Sequence, residues 1–278
     1  MVELILHRNL EKYTKGLDIN FRDLASHAYL LSINAGFEPP SKFILDTCPD
    51  VTVCYDGNDG VPHIILDLYK LLDDNIVSRN SGIVFDLTHE FSHYSIGSKG
   101  FMDMVNYDIF KGKHVTETSQ QEFSDKISNL IDNTLVDTRL CGSDKSLREA
   151  YFASNNISFN NNLQTLKVLR QIRHKNKIFP INLETFDLMI SVIHPAVVSR
   201  YLKINQLMDK SYKSLATLYD SNYHVRLKGA VGNNSINNDL DYIYKNLLHR
   251  TLNLQFSKKA IYKSAKSLWN QMAEVKPA

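Results

Sequence analysis

The pentapeptide His89-Glu90-Phe91-Ser92-His93 carries the clearest chemistry in this chain. Residues four apart project from one face of a helix, so both imidazoles can approach one zinc ion at about 2.0–2.1 Å. Glu90 then lies beside the ion without ligating it. There a carboxylate can take a proton from water polarised by the metal and return it to a leaving amine. The pattern arises by chance in roughly one chain per hundred of this composition. Its surroundings strengthen it: Phe91, Ser92 and Tyr94 are uncharged, Gly97 stops the helix just after His93, and β-prone segments precede it. Asp86 and Ser95 depart from the strictest metalloprotease consensus. The bland alternative is an amphipathic helix with two histidines on its polar face.

Two histidines do not complete a catalytic zinc site, which takes three protein ligands and one open position. No further histidine follows at metzincin spacing, which excludes that class. The candidates for a third ligand are His114, Glu117, Glu122, Asp125, Asp132 and Asp137. The segment Asn133-Thr134-Leu135-Val136-Asp137-Thr138-Arg139-Leu140 resembles the second motif of zincin-like metallopeptidases of bacterial and phage type. In these, His-Glu-x-x-His is followed by a helix bearing Asn-x-x-x-Asp. The resemblance spans residues 64–140 at most. It implies Asp137 as third ligand, with Asn133 one turn earlier in support. It departs from the glutamate-zincin pattern, since Asn133 stands where that group has a ligand glutamate. In a glutamate-zincin register, Asp137 would only support the site and the third ligand would lie elsewhere. Asp132, Glu117 and Glu122 stay open as alternatives. Many members of the group also carry a von Willebrand-type domain, which the helical tail here does not resemble.

An acyl-transfer site also needs a donor for the developing oxyanion. Arg139, Tyr107, His114, Tyr151 and His224 are candidates, each of a type more often used for packing or surface. Asp86, three residues before His89, is expected either to accept an imidazole N–H or to be a solvated helix residue. His63 reads as a packed or capping histidine rather than a ligand.

These residues must be positioned by a scaffold. Asp18–Gly36 reads as an amphipathic helix capped by Asp18 or Asn20 and stopped by Gly36 and Pro39-Pro40. Lys42–Leu45, Val51–Tyr55 and His63–Leu66 are short strands separated by turn residues. Either of the last two could be an edge strand that pairs with an extended peptide substrate. Helical patterns follow over Ser81–Ile96, Thr116–Leu140, Leu163–Lys175, Leu183–Tyr219 and Leu240–Met272, with Pro195 expected to break or kink the fourth. Asn-rich Ser154–Asn162 and the stretch Gly229–Asp239 read as loops. Lys258, Lys259, Lys263 and Lys266 share the last helix with Tyr262 and Trp269 and read as a solvated basic face.

Composition narrows the classes. The chain has 278 residues, 32 Lys plus Arg and 30 Asp plus Glu, a balance that argues against a dedicated nucleic-acid binder. Three cysteines without a Cys-x-x-Cys pair exclude a thiolate zinc knuckle and a disulfide framework. No apolar run suits a signal peptide or a membrane span, so the expected location is cytoplasmic. The expectation is therefore an α+β, mainly α protein: a zincin-like fold with a small mixed β-sheet, an active-site helix and a helical C-terminal region. The catalytic domain is expected at 1–153 and a helical subdomain at 163–278. The expected activity is zinc-dependent hydrolysis of a protein or peptide substrate, with Zn²⁺ on His89, His93 and Asp137 and Glu90 as general base, between the helices of 81–96 and 117–140. The rival readings are a zincin-like binding or regulatory protein without turnover, a helical interaction protein with a chance motif, and a hydrolase of non-peptide amides.

Overall fold

The computed structural model describes residues 3–49, 52–57, 60–96, 117–155, 183–208, 234–253 and 266–267. The chain divides into two compact units. The first is Met1–Ser98 with Arg139–Ser154, and the second is Lys99–Thr138 with Asn155–Ala278. Residues 99–138 group with the C-terminal part in the second unit, and residues 139–154 with the first.

The first unit runs β1 (Glu3–Leu6), α1 (Arg8–Tyr13), α2 (Phe21–Asn34), β2 (Lys42–Cys48), β3 (Val53–Asp56), β4 (Pro62–Asp67), α3 (Leu68–Leu71) and α4 (Ile76–Ile96). The four strands form one mixed sheet in the order β1-β2-β4-β3. β1, β2 and β4 are parallel, and β3 runs antiparallel to β4 on the edge. Parallel neighbours need a crossover, which α1 and α2 supply between β1 and β2. Of the two strands expected as a possible edge, β3 is the edge and β4 is internal. β1 went unread in the sequence because four residues give too little alternation to distinguish a strand.

Alternation along β2 and β4 buries Phe43, Leu45 and Thr47, and Pro62, Ile64 and Leu66, on one face. Phe43 meets Phe91 of α4 edge-on at a centroid distance of 4.8 Å, and Tyr29 of α2 meets the same ring at 6.3 Å. The sheet thus carries helices α2 and α4 through aromatic packing, a geometry that adds to the area buried. Asn20 is the cap of α2, accepting from Asp23 N at 3.3 Å, and Gly36 at φ +82° takes the left-handed position beyond its end. α4 starts at Ile76 rather than Ser81 because Asn75 accepts from Ser78 N at 3.1 Å. Buried Arg79 then donates to the Asp18 carbonyl at 3.1 Å, tying this first turn to the segment before α2.

A long helix, α5 (Glu117–Ser143), spans the division between the units, and α6 follows at 145–155. Asp144 caps α6 through Ser146 N at 2.7 Å and Leu147 N at 3.1 Å. In the first unit, Leu147, Tyr151 and Phe152 of α6 are buried, and Tyr151 packs on Phe85 of α4 at 6.1 Å. Ser154 and Asn155 are helical rather than loop, and the rest of the expected Asn-rich loop lies outside the described residues.

The regular elements described in the second unit are all helices. α5 buries Phe123, Ile127, Leu130 and Ile131, at helical spacing. α7 (Leu183–Ile204) packs against α8 (Asn234–Asn253). Pro195 does not end α7: Val192, Ile193, Ala196 and Val197 around it are all fully buried, and their packing offsets the roughly 3 kcal/mol that a mid-helix proline costs. The helix ends at Ile204 instead of Tyr219, with Gln206 at φ +57° and Leu207 N donating to the Leu202 carbonyl at 2.9 Å. Glycine or asparagine usually marks such a stop, so a glutamine there carries no signal. α8 begins at Asn234, inside the expected loop, because asparagine and serine suit a helix N-terminus as well as a turn. Leu163–Lys175 and most of the last expected helix lie outside the described residues. Among the described residues no helix is long and apolar enough to cross a membrane.

Candidate metal centre

α4 places His89 and His93 one turn apart with their Nε2 atoms 2.9 Å from each other. The ring centroids are 4.5 Å apart and the planes are inclined by 66°. Two nitrogens bound to one tetrahedral ion at about 2.0–2.1 Å lie roughly 3.3 Å apart, so a small outward adjustment of either ring suits zinc. Neutral imidazole is a donor that zinc accepts readily, and both rings are partly exposed, which leaves an approach for the ion. Glu90 is buried at 7% exposure on the turn between them.

The rest of α4 explains why these rings are held. Leu87 and Phe91, both fully buried, belong to the core of the first unit, with Phe91 against Phe43 of the sheet. The buried hydroxyls of Thr88 and Ser92 donate to the carbonyls one turn earlier, at 2.6 and 2.7 Å, and so are satisfied inside the helix. Ser92 Oγ also lies 3.3 Å from Ser32 Oγ of α2, and Ser95 Oγ accepts from Glu38 N at 2.8 Å just beyond α2. Ser95, one of the two departures from the strictest consensus, thus contacts the segment after α2, and Ser92 contacts α2 itself. Phe85, one turn before His89, holds that imidazole at a centroid distance of 6.1 Å and a 33° tilt.

Asp86 is committed elsewhere than to an imidazole. Its carboxylate takes both Lys70 Nζ bonds, at 3.0 and 2.8 Å, and a bond from Thr52 Oγ1 at 3.4 Å. This corrects both readings of Asp86, since it is neither solvated nor shown on a ring nitrogen. The reason is tertiary: α3 and the residue before β3 come to this point of α4, and no local spacing reports that.

In the second unit Asp137 is buried at 3% exposure and lies 3.0 Å from His194 Nε2 of α7. His194 was not singled out in the sequence; a histidine followed by proline in an apolar helix carries no recognisable spacing. Asp132 is buried, Asp125 half-buried, Glu122 exposed and Asn133 half-buried. Among the described residues no group of three or more His, Cys, Asp or Glu side chains is assembled for a metal ion.

Two oxyanion candidates are described. Arg139 lies over the Phe37 ring at 5.4 Å, and Tyr151 is fully buried between Phe85 and Phe152. Tyr107, His114 and His224 lie outside the described residues, as do Lys258, Lys259 and Lys263. His63 is a half-buried residue of internal strand β4, in register with Ile44 and Tyr55. Comparison with known protein families, with curated proteins and with solved structures finds no match for this chain.

Proposed function

We propose that this chain is a zinc-dependent metallopeptidase of zincin-like architecture. The observation that carries the reading is the convergence of His89 and His93 Nε2, with buried Glu90 between them in sequence, on a helix packed against a mixed sheet. When bound, zinc would polarise the scissile carbonyl and make water a stronger nucleophile. His89 and His93 would hold the ion, and Asp137 is proposed as the third ligand from the Asn-x-x-x-Asp motif. A ligating carboxylate is usually held by a polar neighbour, and the His194 imidazole lies 3.0 Å from Asp137. Glu90 would accept the proton of the attacking water and deliver it to the leaving nitrogen.

The sheet supports the same reading. Gly57 N donates to the Val61 carbonyl at 3.0 Å, which makes 57 and 61 a hydrogen-bonded pair at the turn. Alternation then puts 55 with 63 and 53 with 65 in such pairs, so the backbone groups of Cys54 and Asp56 face outward from the edge. An extended peptide could add to that edge through main-chain bonds, with modest demand on its side chains.

The test is zinc stoichiometry by elemental analysis on the wild type, His93→Ala and Asp137→Ala, together with peptide hydrolysis by Glu90→Gln. The expected result is one zinc per chain in the wild type, loss in both alanine variants, and a zinc-loaded but inactive Glu90→Gln. No zinc in the wild type after reconstitution would overturn the reading in favour of a chance motif. Full zinc without hydrolysis of any peptide mixture would favour a binding protein or a hydrolase of other amides.

A further inference from the structure

Three elements meet at the Asp86 carboxylate. It lies on α4 one turn before Glu90, is 8% exposed, and takes both bonds from Lys70 of α3. Thr52, the residue before edge strand β3, donates to the same carboxylate at 3.4 Å. The Thr52 oxygen in turn accepts from Asp67 N at 3.3 Å, at the end of β4 and the cap of α3. Two-point binding of one ammonium by a buried carboxylate fixes geometry more firmly than an exposed ion pair does. The entry to the edge strand, the end of its neighbour and the helix bearing His89, Glu90 and His93 therefore share one polar junction.

We propose that Asp86, Lys70 and Thr52 act as a positioning clamp that sets the height of edge strand β3 against the His89–Glu90–His93 turn of α4. The clamp governs how an extended substrate is presented, and it leaves the two imidazoles as they are. It rests on the peptidase reading for its consequence in catalysis, but its structural half stands without it. Substrate paired to β3 is placed by main-chain bonds, so a shift of the strand misplaces the scissile carbonyl relative to Glu90. Lys70 is substantially exposed at its side chain, so Lys70→Arg keeps the charge beside buried Asp86 and serves as the folded control for Lys70→Met.

The experiment uses full-length Lys70→Met, Lys70→Arg, Thr52→Val and Asp86→Asn proteins. Zinc per chain is measured together with hydrogen exchange at the Val53 and Tyr55 amides. Where the wild type cleaves an internally quenched peptide, kcat and KM are measured as well. Lys70→Met and Thr52→Val are expected to keep their zinc and to exchange those amides about tenfold faster than the wild type. They are expected to raise KM about tenfold with kcat within about twofold, and Lys70→Arg to restore both. A merely stabilising ion pair would leave the KM-to-kcat split and the β3 amides unchanged, which would overturn the proposal. Loss of zinc from a folded Lys70→Met protein would overturn it too. If the wild type cleaves nothing, the peptidase reading fails on its own, while exchange at β3 still decides whether the clamp exists.

Discussion

On the proposed reading, Glu90 and the two histidines of its turn would separate binding from turnover at the scale of single residues. The histidines would hold zinc through ring nitrogens, whereas Glu90 would handle a proton without holding the ion. Glu90→Gln is therefore expected to retain zinc while hydrolysis falls roughly 10²–10⁴-fold, read by elemental analysis and a peptide assay. The Asp137–His194 pair makes a second prediction. If Asp137 is the third ligand, the imidazole 3.0 Å from its carboxylate would tune metal affinity, so His194→Ala is expected to weaken zinc binding about 10–100-fold in a chelator competition. Unchanged affinity in that variant, with zinc lost in Asp132→Ala, would move the third ligand to Asp132. The placing of His89 and His93 on one helix turn was legible because it is local. Asp86 was misread because its partners, Lys70 and Thr52, reach it from elsewhere in the fold.

Elements are held by packing on one side and by caps at their ends. Phe91 is fully buried against Phe43 on the helix that carries the histidines. Phe91→Ala is expected to cost about 3–5 kcal/mol in denaturant unfolding. The cap of α6 has a pH signature. Burial would raise the Asp144 carboxyl, but bonds from Ser146 Oγ, Leu147 N and Ser146 N and the charge of Arg148 outweigh it and hold its pKa below the ordinary aspartate value. A lowered folded-state pKa means the cap contributes fully above that unfolded value and is lost as pH falls through the lower folded one. Asp144→Ala is expected to lose about 1 kcal/mol at neutral pH, with the difference from wild type shrinking below about pH 4. A difference that stays constant into strong acid would show that the carboxylate charge is irrelevant to the cap.

The whole molecule is discontinuous in sequence, because the first unit takes back residues 139–154 after a long excursion. Leu147, Tyr151 and Phe152 belong to its core, and Tyr151 covers Phe85 beside His89. A fragment ending at residue 98 is expected to unfold without a sharp cooperative transition, although it keeps the sheet and α4 intact in sequence. A sharp thermal transition in that fragment would show that α6 is dispensable to the first core. By itself the sequence determined long helices, three of the four strands, a cap at Asp18 or Asn20 and two imidazoles one turn apart, all set by periodicity, turn chemistry and spacing within a few residues. Only the tertiary structure decided that β3 is the edge, that Asp86 joins Lys70 and Thr52, that Asp137 meets His194, and that Pro195 stays inside a helix. Each depends on segments far apart in sequence, whose burial and pairing override local preference, and no spacing rule encodes such meetings.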